Sequence, residues 1–134
     1  MRASIAIAAI ASVLAAPTAL AQASPQTVVQ RNVDAYRAGD LDRFVATFAH
    51  DATVDFNGVQ VTGQAQIHNI YRSNFAEGAP EIRIEESSMD GNRIFLKVAY
   101  VFADGSEACC SFSEYTIVQG KIVYLRAEGF VEPQ

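Results

Sequence analysis

The amino-acid sequence predicts an α+β domain in which three helices precede a curved antiparallel β-sheet. Helical spacing of apolar residues dominates residues 25–75, whereas apolar and polar residues alternate through residues 81–131. Turn pairs that end in glycine, at Asp90-Gly91, Asp104-Gly105 and Gln119-Gly120, separate the alternating segments as hairpins. A sheet of this kind can wrap around the helices and enclose a pocket.

Two consecutive helices are expected at the start of this domain. Residues 25–38 carry an apolar stripe, and Asn32 falls on that stripe, where a polar side chain needs a partner or a cavity. Asp40 is a suitable N-cap for a second helix that continues through Phe48. The polar position within the first stripe is therefore the first indication of a pocket.

A short strand near residues 53–56 and a third helix near residues 64–75 come next, and the rest of the chain alternates. The alternation predicts strands at residues 81–87, 93–102, 107–118 and 121–131. On the strand at 107–118, Cys110 and Phe112 fall on the outer face of the sheet and need cover. This exposed pair indicates a dimer interface.

The first 23 residues are expected to be a secretory signal peptide. Arg2 precedes an apolar run from Ile5 to Ala16, and small residues follow at the spacing of a cleavage site. A membrane anchor is the alternative, but a run of about 12 residues is shorter than the roughly 20 that a spanning helix needs. We therefore expect an exported protein, periplasmic or secreted, with a signal peptide at 1–23 and one domain at 24–134 that begins near Gln22 or Ser24.

Composition excludes several classes of partner. The chain has 10 Lys+Arg against 15 Asp+Glu, and no stretch concentrates its basic residues, so we expect no nucleic-acid partner and no membrane partner after signal cleavage. Cys109 and Cys110 are adjacent, so a bridge between them would be strained, and we interpret them as small apolar residues of the core or an interface. No CxxC motif or His/Cys cluster accompanies them, so we expect no metal site and no cofactor.

The segment VVQRNVDAYRAGDLDRFVATFAHDATVDFNG (28–58) resembles the NTF2-like superfamily, specifically its SnoaL-like and ketosteroid isomerase-like branch. The resemblance continues through GQAQIHNIYRSNF (63–75) and GKIVYLRA (120–127), and so covers nearly all of the mature chain. It implies an NTF2-like cone whose mouth binds a small, mostly apolar molecule, and a homodimer formed through the outer face of the sheet. Because a fold does not fix a function, each active position needs its own comparison.

Steroid isomerases that share this pattern use a Tyr on the first helix, an Asp after the first strand and a protonated Asp on a late strand. The matching flanks place these groups at Asn32, Phe56 and about Ser113, whereas a supporting Tyr is matched by Tyr71. Asp55 comes one residue early, and a shift of one residue along a strand moves a side chain to the other face. Only a β-bulge would return this acid to the interior. The resemblance therefore argues against steroid isomerisation.

Three functions remain open on the sequence alone. The first is an exported protein that binds a small apolar or amphipathic molecule, with a pocket lined by Asn32, Phe56, Tyr71, Val98, Tyr100, Ser111, Ser113, Leu125 and Ala127. The second is a SnoaL-like enzyme of the isomerase, cyclase or hydrolase type that uses Asp55 or His68 as a base. The third is a structural or interaction domain whose cone is filled by side chains, which an open cavity of several hundred Å3 would exclude.

Overall fold

The computed structural model describes residues 22–128 of the 134-residue chain. The predicted signal peptide lies outside the described residues except for Gln22 and Ala23, and residues 129–134 lie outside them as well. The elements are α1 (Pro25–Arg37), α2 (Leu41–Ala46), β1 (Phe48–Phe56), β2 (Val59–Thr62), α3 (Gln64–Tyr71), a 3₁₀ turn (Arg72–Phe75), β3 (Glu81–Asp90), β4 (Arg93–Val101), β5 (Glu107–Val118) and β6 (Lys121–Ala127). No helix within the described range is long and apolar enough to cross a membrane.

The six strands form one curved, unclosed sheet in the order β2-β1-β6-β5-β4-β3, with the helices packed on its inner face. This arrangement confirms the predicted α+β cone. The sheet is mixed rather than wholly antiparallel, because β1 pairs in parallel with β6 while the other neighbours pair antiparallel. A parallel pair needs a long connection, and here the whole segment from β2 to β5 supplies it.

The first helix begins and ends on sequence signals that the structure uses. The Ser24 hydroxyl accepts a hydrogen bond from the Thr27 N–H at 3.2 Å, and Pro25 occupies the first turn, where its missing N–H is no loss. After α1, Gly39 adopts φ +68°, a conformation that glycine reaches without strain. This turn directs the chain back into α2.

The second helix is shorter than the sequence predicts. Asp40 caps α2 as expected, but the helix ends at Ala46 and β1 begins at Phe48, so the predicted extension of the helix through Phe48 is wrong. Pairing with β6 decides this boundary, because the N–H of Ile122 donates to the Thr47 carbonyl at 3.0 Å and Phe48 lies opposite Ile122. Contacts with a strand that lies far along the chain override the local helical pattern.

Strand β2 and a disulfide are two further differences from the sequence analysis. The turn residues Asn57 and Gly58 have φ of +52° and +85°, so the chain folds back as a tight hairpin and Val59–Thr62 pairs with β1. The structure joins Cys109 and Cys110 by a disulfide, whereas the sequence analysis interprets them as small apolar residues of the core or an interface.

Aromatic rings fill much of the space between the helices and the sheet. The ring of Phe44 lies 5.4 Å from Phe48, 4.6 Å from Tyr71 and 5.1 Å from Phe75, measured between centroids. Such tilted and edge-on contacts add to the free energy gained from burying the rings. They also hold Tyr71 in a fixed position beside the inner face of the sheet.

Candidate ligand-binding site

A cavity lies inside the cone, between the sheet and the helical layer. Every residue that the sequence analysis assigned to a pocket is on its lining. They come from the helices (Asn32, Tyr71), β1 (Phe56), β4 (Val98, Tyr100), β5 (Ser111, Ser113) and β6 (Leu125, Ala127). Their role in ligand binding stays a prediction.

The cavity is small. It holds about 50 Å3 of free space and is partly open to solvent, which is room for a few water molecules but far below the roughly 300 to 1,000 Å3 of drug-sized sites. Packed aromatic rings occupy much of the space inside the cone and so keep the cavity small. The ring centroids of Phe56 and Tyr71 are 5.8 Å apart, and those of Tyr36 and Phe75 are 5.1 Å apart. The several hundred Å3 that would exclude a filled cone are therefore not present.

Asn32 organises the polar side of the cavity. Its side chain is 1% exposed, and its amide nitrogen donates to the Thr47 hydroxyl at 2.9 Å. Thr47 in turn donates to the Phe44 carbonyl at 2.6 Å, and the Tyr115 hydroxyl donates to the Asn32 carbonyl at 3.3 Å. A buried amide is thus paired on both of its ends, which removes the penalty of burying it.

The Tyr71 hydroxyl, in contrast to the Asn32 amide, is not paired in this way. The residue is 4% exposed, yet its hydroxyl makes no hydrogen bond with any residue that the structure describes. No fully enclosed polar side-chain atom in the described part of the chain lacks a partner, so this oxygen must open on the free space of the cavity. The Tyr71 hydroxyl can therefore donate a hydrogen bond to an atom in the cavity or accept one from it.

Two tyrosines of the cavity, Tyr71 and Tyr115, stay protonated. Burial raises the pKa of Tyr71 and of Tyr115 well above the ordinary value for tyrosine, and the neighbouring phenols raise the Tyr71 pKa further. None of the described lining residues is Asp, Glu, His, Lys or Arg. The site is therefore a neutral surface of apolar walls, hydroxyls and amides.

Asp55 lies outside the cavity. Phe56 faces inward, whereas the Asp55 carboxylate accepts a hydrogen bond from the Gly58 N–H at 2.8 Å in the β1–β2 turn. Pairing of β1 with β2 is regular from Thr53 to Phe56, so no bulge turns the acid inward. The alternation along the strand puts Phe56 and Asp55 on opposite faces, as the sequence indicated.

His68 also lies outside the cavity. Its ring nitrogen is 3.6 Å from a carboxylate oxygen of Asp42, so the imidazole points from α3 towards α2. Neither Asp55 nor His68, the two bases considered on the sequence, lies on the lining of the cavity.

Among residues 22–128 there is no group of three or more His, Cys, Asp or Glu side chains that could hold a metal ion.

Three polar lining residues are absent from the predicted pocket: Tyr36, Asn74 and Tyr115. Each carried a periodic signal, since Tyr36 is one turn after Asn32, Asn74 is one turn after Tyr71, and Tyr115 shares the strand face of Ser113. The periodicity identified the faces correctly, but it did not show which members of each face reach the cavity.

Comparison with known families decides the identity of this domain. Residues 29–125 match the sequence profile of the SnoaL-like domain. The chain belongs to the SnoaL-like family, within the NTF2-like superfamily. No curated protein sequence matches this SnoaL-like chain significantly.

Solved structures support the same assignment. An NTF2-like protein of unknown function from Mesorhizobium loti has a TM-score of 0.67 at 16% identity, over 78% of this SnoaL-like chain and 88% of that chain. A protein with a ketosteroid isomerase-like fold from Catenulispora acidiphila, in complex with trimethylamine, has a TM-score of 0.63 at 15% identity, over 78% and 85%. A candidate polyketide cyclase from Sinorhizobium meliloti has a TM-score of 0.62 at 27% identity, over 75% and 92%.

Proposed function

We propose that this SnoaL-like domain binds a small apolar or amphipathic molecule inside its cone. The Tyr71 hydroxyl is the observation that carries the proposal, because it is buried, opens on the cavity and has no partner among the described residues. A buried hydroxyl without a partner costs about 1 to 3 kcal/mol. A ligand atom or a water molecule in the cavity removes that penalty.

The size of the cavity restricts the ligand. About 50 Å3 of free space admits a molecule of only a few heavy atoms unless it displaces a ring such as Tyr36 or extends through the open side. The Catenulispora acidiphila structure contains trimethylamine, which supports a ligand of modest size for this fold. Steroid isomerisation is not part of the proposal, because Asn32, Phe56 and Ser113 stand where the isomerase resemblance expects its three acting groups.

Native mass spectrometry of protein purified from its own host tests this proposal, followed by thermal-shift screening with small lipophilic compounds. We expect a bound mass, or at least one compound that raises the melting temperature.

Tyr71→Phe, which removes only the hydroxyl, should lower the affinity for such a compound about tenfold. Tyr124→Phe is the matched control, because Tyr124 lies outside the cavity lining. Protein that is always empty and responds to no compound would contradict the proposal.

An enzyme of the cyclase type is a second candidate, favoured by the 27% identity to the Sinorhizobium meliloti protein. Asp55 or His68 would act as its base on a substrate reached outside the cavity, since neither is on the lining. Turnover that is unchanged in both Asp55→Asn and His68→Ala would eliminate this candidate.

We also propose export, with a mature chain that starts at Gln22. Ala23 packs against the hydrophobic core and Ser24 caps α1, so cleavage after Ala21 leaves both contacts intact. Cleavage after Ala23 would remove one contact and put a positive amino group at the N-terminus of α1, where the helix dipole disfavours it. The intact mass of the protein recovered outside the cytoplasm checks this start, and an uncleaved mass would refute it.

The outer face of the sheet supports a proposal of a homodimer. Phe112 is 52% exposed, and Phe95 lies beside it on the same face. Charged groups border this pair, since the Glu114 carboxylate binds both Arg93 and Arg126. An aromatic centre with a charged rim of both signs is typical of a protein interface and suits a second copy of the same chain.

A further inference from the structure

We propose that the ligand of this cavity is a neutral molecule with a hydroxyl group on an apolar body, and that Thr47, which is not on the lining, sets this preference. The inference rests on the proposed binding function and deepens it. It follows from the direction of each hydrogen bond in the chain that runs from Phe44 through Thr47 and Asn32 to Tyr115.

The direction of these hydrogen bonds is fixed at the Phe44 backbone carbonyl, because a carbonyl oxygen can only accept. The Thr47 hydroxyl lies 2.6 Å from the Phe44 carbonyl oxygen, so its single proton points there. The Thr47 oxygen is then left to accept, and it lies 2.9 Å from the Asn32 amide nitrogen. This contact determines the orientation of the Asn32 amide without reference to any other group.

The same direction continues to the cavity wall. With its nitrogen on Thr47, Asn32 turns its carbonyl towards Tyr115, and the Tyr115 hydroxyl must donate to it at 3.3 Å. The proton of Tyr115 is thereby used, and its oxygen offers only lone pairs. Ser113 is close enough to Tyr115 to hydrogen-bond with it, and if it donates there, its own oxygen becomes the exposed acceptor. In both arrangements the chain of hydrogen bonds ends in an acceptor.

Tyr71 supplies the complementary group. Its hydroxyl has no partner among the described residues, so its proton is available in the same cavity. A ligand hydroxyl matches both groups, because it donates to the acceptor at Tyr115 or Ser113 and accepts from Tyr71. A ketone or ether of the same shape satisfies Tyr71 but leaves the acceptor unpaired, and a site built around a hydroxyl discriminates strongly against an analogue that lacks it.

Cyclohexanol and cyclohexanone are suitable probes, since they share a ring, which would extend through the open side of the cavity, and differ in the presence of a donor. Dissociation constants are measured by ligand-observed NMR on the folded protein. We expect cyclohexanol to bind at least about fivefold more tightly than cyclohexanone, because an unpaired buried acceptor is unfavourable.

Two variants of Thr47 test its role as a positioning residue. Thr47→Val removes the hydroxyl that orients Asn32, so the amide can turn and the preference for cyclohexanol should fall to about twofold or less, whereas Thr47→Ser should keep it. Thr62→Val is the control, because Thr62 is an exposed threonine of β2 whose side chain contacts Thr53. If circular dichroism shows that Thr47→Val is unfolded, Tyr115→Phe replaces it, and the expected result is weaker cyclohexanol binding with cyclohexanone binding that is unchanged or tighter.

The outcomes separate this inference from the proposed function. Equal affinity for the two probes, or tighter binding of cyclohexanone, overturns the hydroxyl preference while small-molecule binding stands. An unchanged preference in both Thr47→Val and Tyr115→Phe overturns the role of the hydrogen-bond chain. Absence of binding by both probes and by every screened compound overturns the proposed function and the inference together.

Discussion

The side chain of Asn32, on α1, forms hydrogen bonds with two residues that lie further along the chain, Thr47 and Tyr115. In Asn32→Leu the Tyr115 hydroxyl loses its acceptor inside the core, whereas Thr47 keeps its bond to the Phe44 carbonyl. We expect this variant to lose about 2 kcal/mol in the free energy of unfolding, measured by urea denaturation.

A double variant isolates the hydrogen bond from the change of shape. Adding Tyr115→Phe to Asn32→Leu removes the unpaired hydroxyl, so the pair should be more stable than the sum of the two single effects predicts. Asn69→Leu is the matched control, because Asn69 is exposed on α3 and its side chain accepts a hydrogen bond from the exposed Arg72. Strict additivity would show that the network has no energetic coupling.

The buried tyrosines make stability depend on alkaline pH. Burial raises the pKa of Tyr71 and Tyr115 in the folded state above the ordinary value of 10.0, so the folded protein keeps protons that the unfolded chain releases. Their contribution to stability is complete below about pH 10 and is lost as the pH rises further. Urea denaturation at pH 8, 10 and 11 should therefore show a steeper loss in the wild type than in Tyr71→Phe/Tyr115→Phe. Parallel curves would be inconsistent with this assignment.

At the level of elements, the β1–β2 hairpin shows that Asp55 has a structural role. Asp55→Ala removes the acceptor of the Gly58 N–H, and we expect a loss of about 1 kcal/mol in stability with unchanged affinity for any cavity ligand. Asp55→Asn retains an acceptor at the same place and should behave almost as the wild type. Urea denaturation and the probe titration measure the two effects, and a drop in ligand affinity for Asp55→Ala would show that the turn and the cavity are coupled.

The elements also show how far sequence reasoning reaches. Strands β4 and β5 were predicted closely because their alternation is strict and glycine turns bound them. The end of α2 was misplaced, since Phe48 continues the helical stripe locally but is drawn into β1 by pairing with Ile122. Local periodicity describes one segment at a time, so a boundary that depends on a distant strand is not contained in it.

At the level of the whole molecule, the expected homodimer gives a test of the outer face. Phe112→Lys puts a charge in the centre of the proposed interface, so we expect the mass measured by light scattering to fall from that of two chains to that of one. Val59→Lys is the control, because Val59 is 58% exposed on β2, at the opposite edge of the sheet order from β3. A wild type that is already monomeric at high concentration would contradict the homodimer.

The sequence by itself determined the fold class, the family resemblance and the faces of the strands. Alternation with a period of two decides on which side of a sheet a residue lies, and this placed Phe56 inside the cone and Asp55 outside it. That information is local, because each residue's direction follows from its neighbours in the chain.

Only the tertiary structure decided the size of the cavity and the partners of its polar groups. Asn32 accepts a hydrogen bond from Tyr115, which lies 83 positions further along the sequence. The His68 ring points towards the Asp42 carboxylate and away from the cavity. Packing of aromatic rings from five separate elements leaves about 50 Å3 in the cone, although the same residue types could line a much larger space. Distances between remote side chains depend on how the helices settle on the curved sheet, and no local pattern in the sequence encodes them.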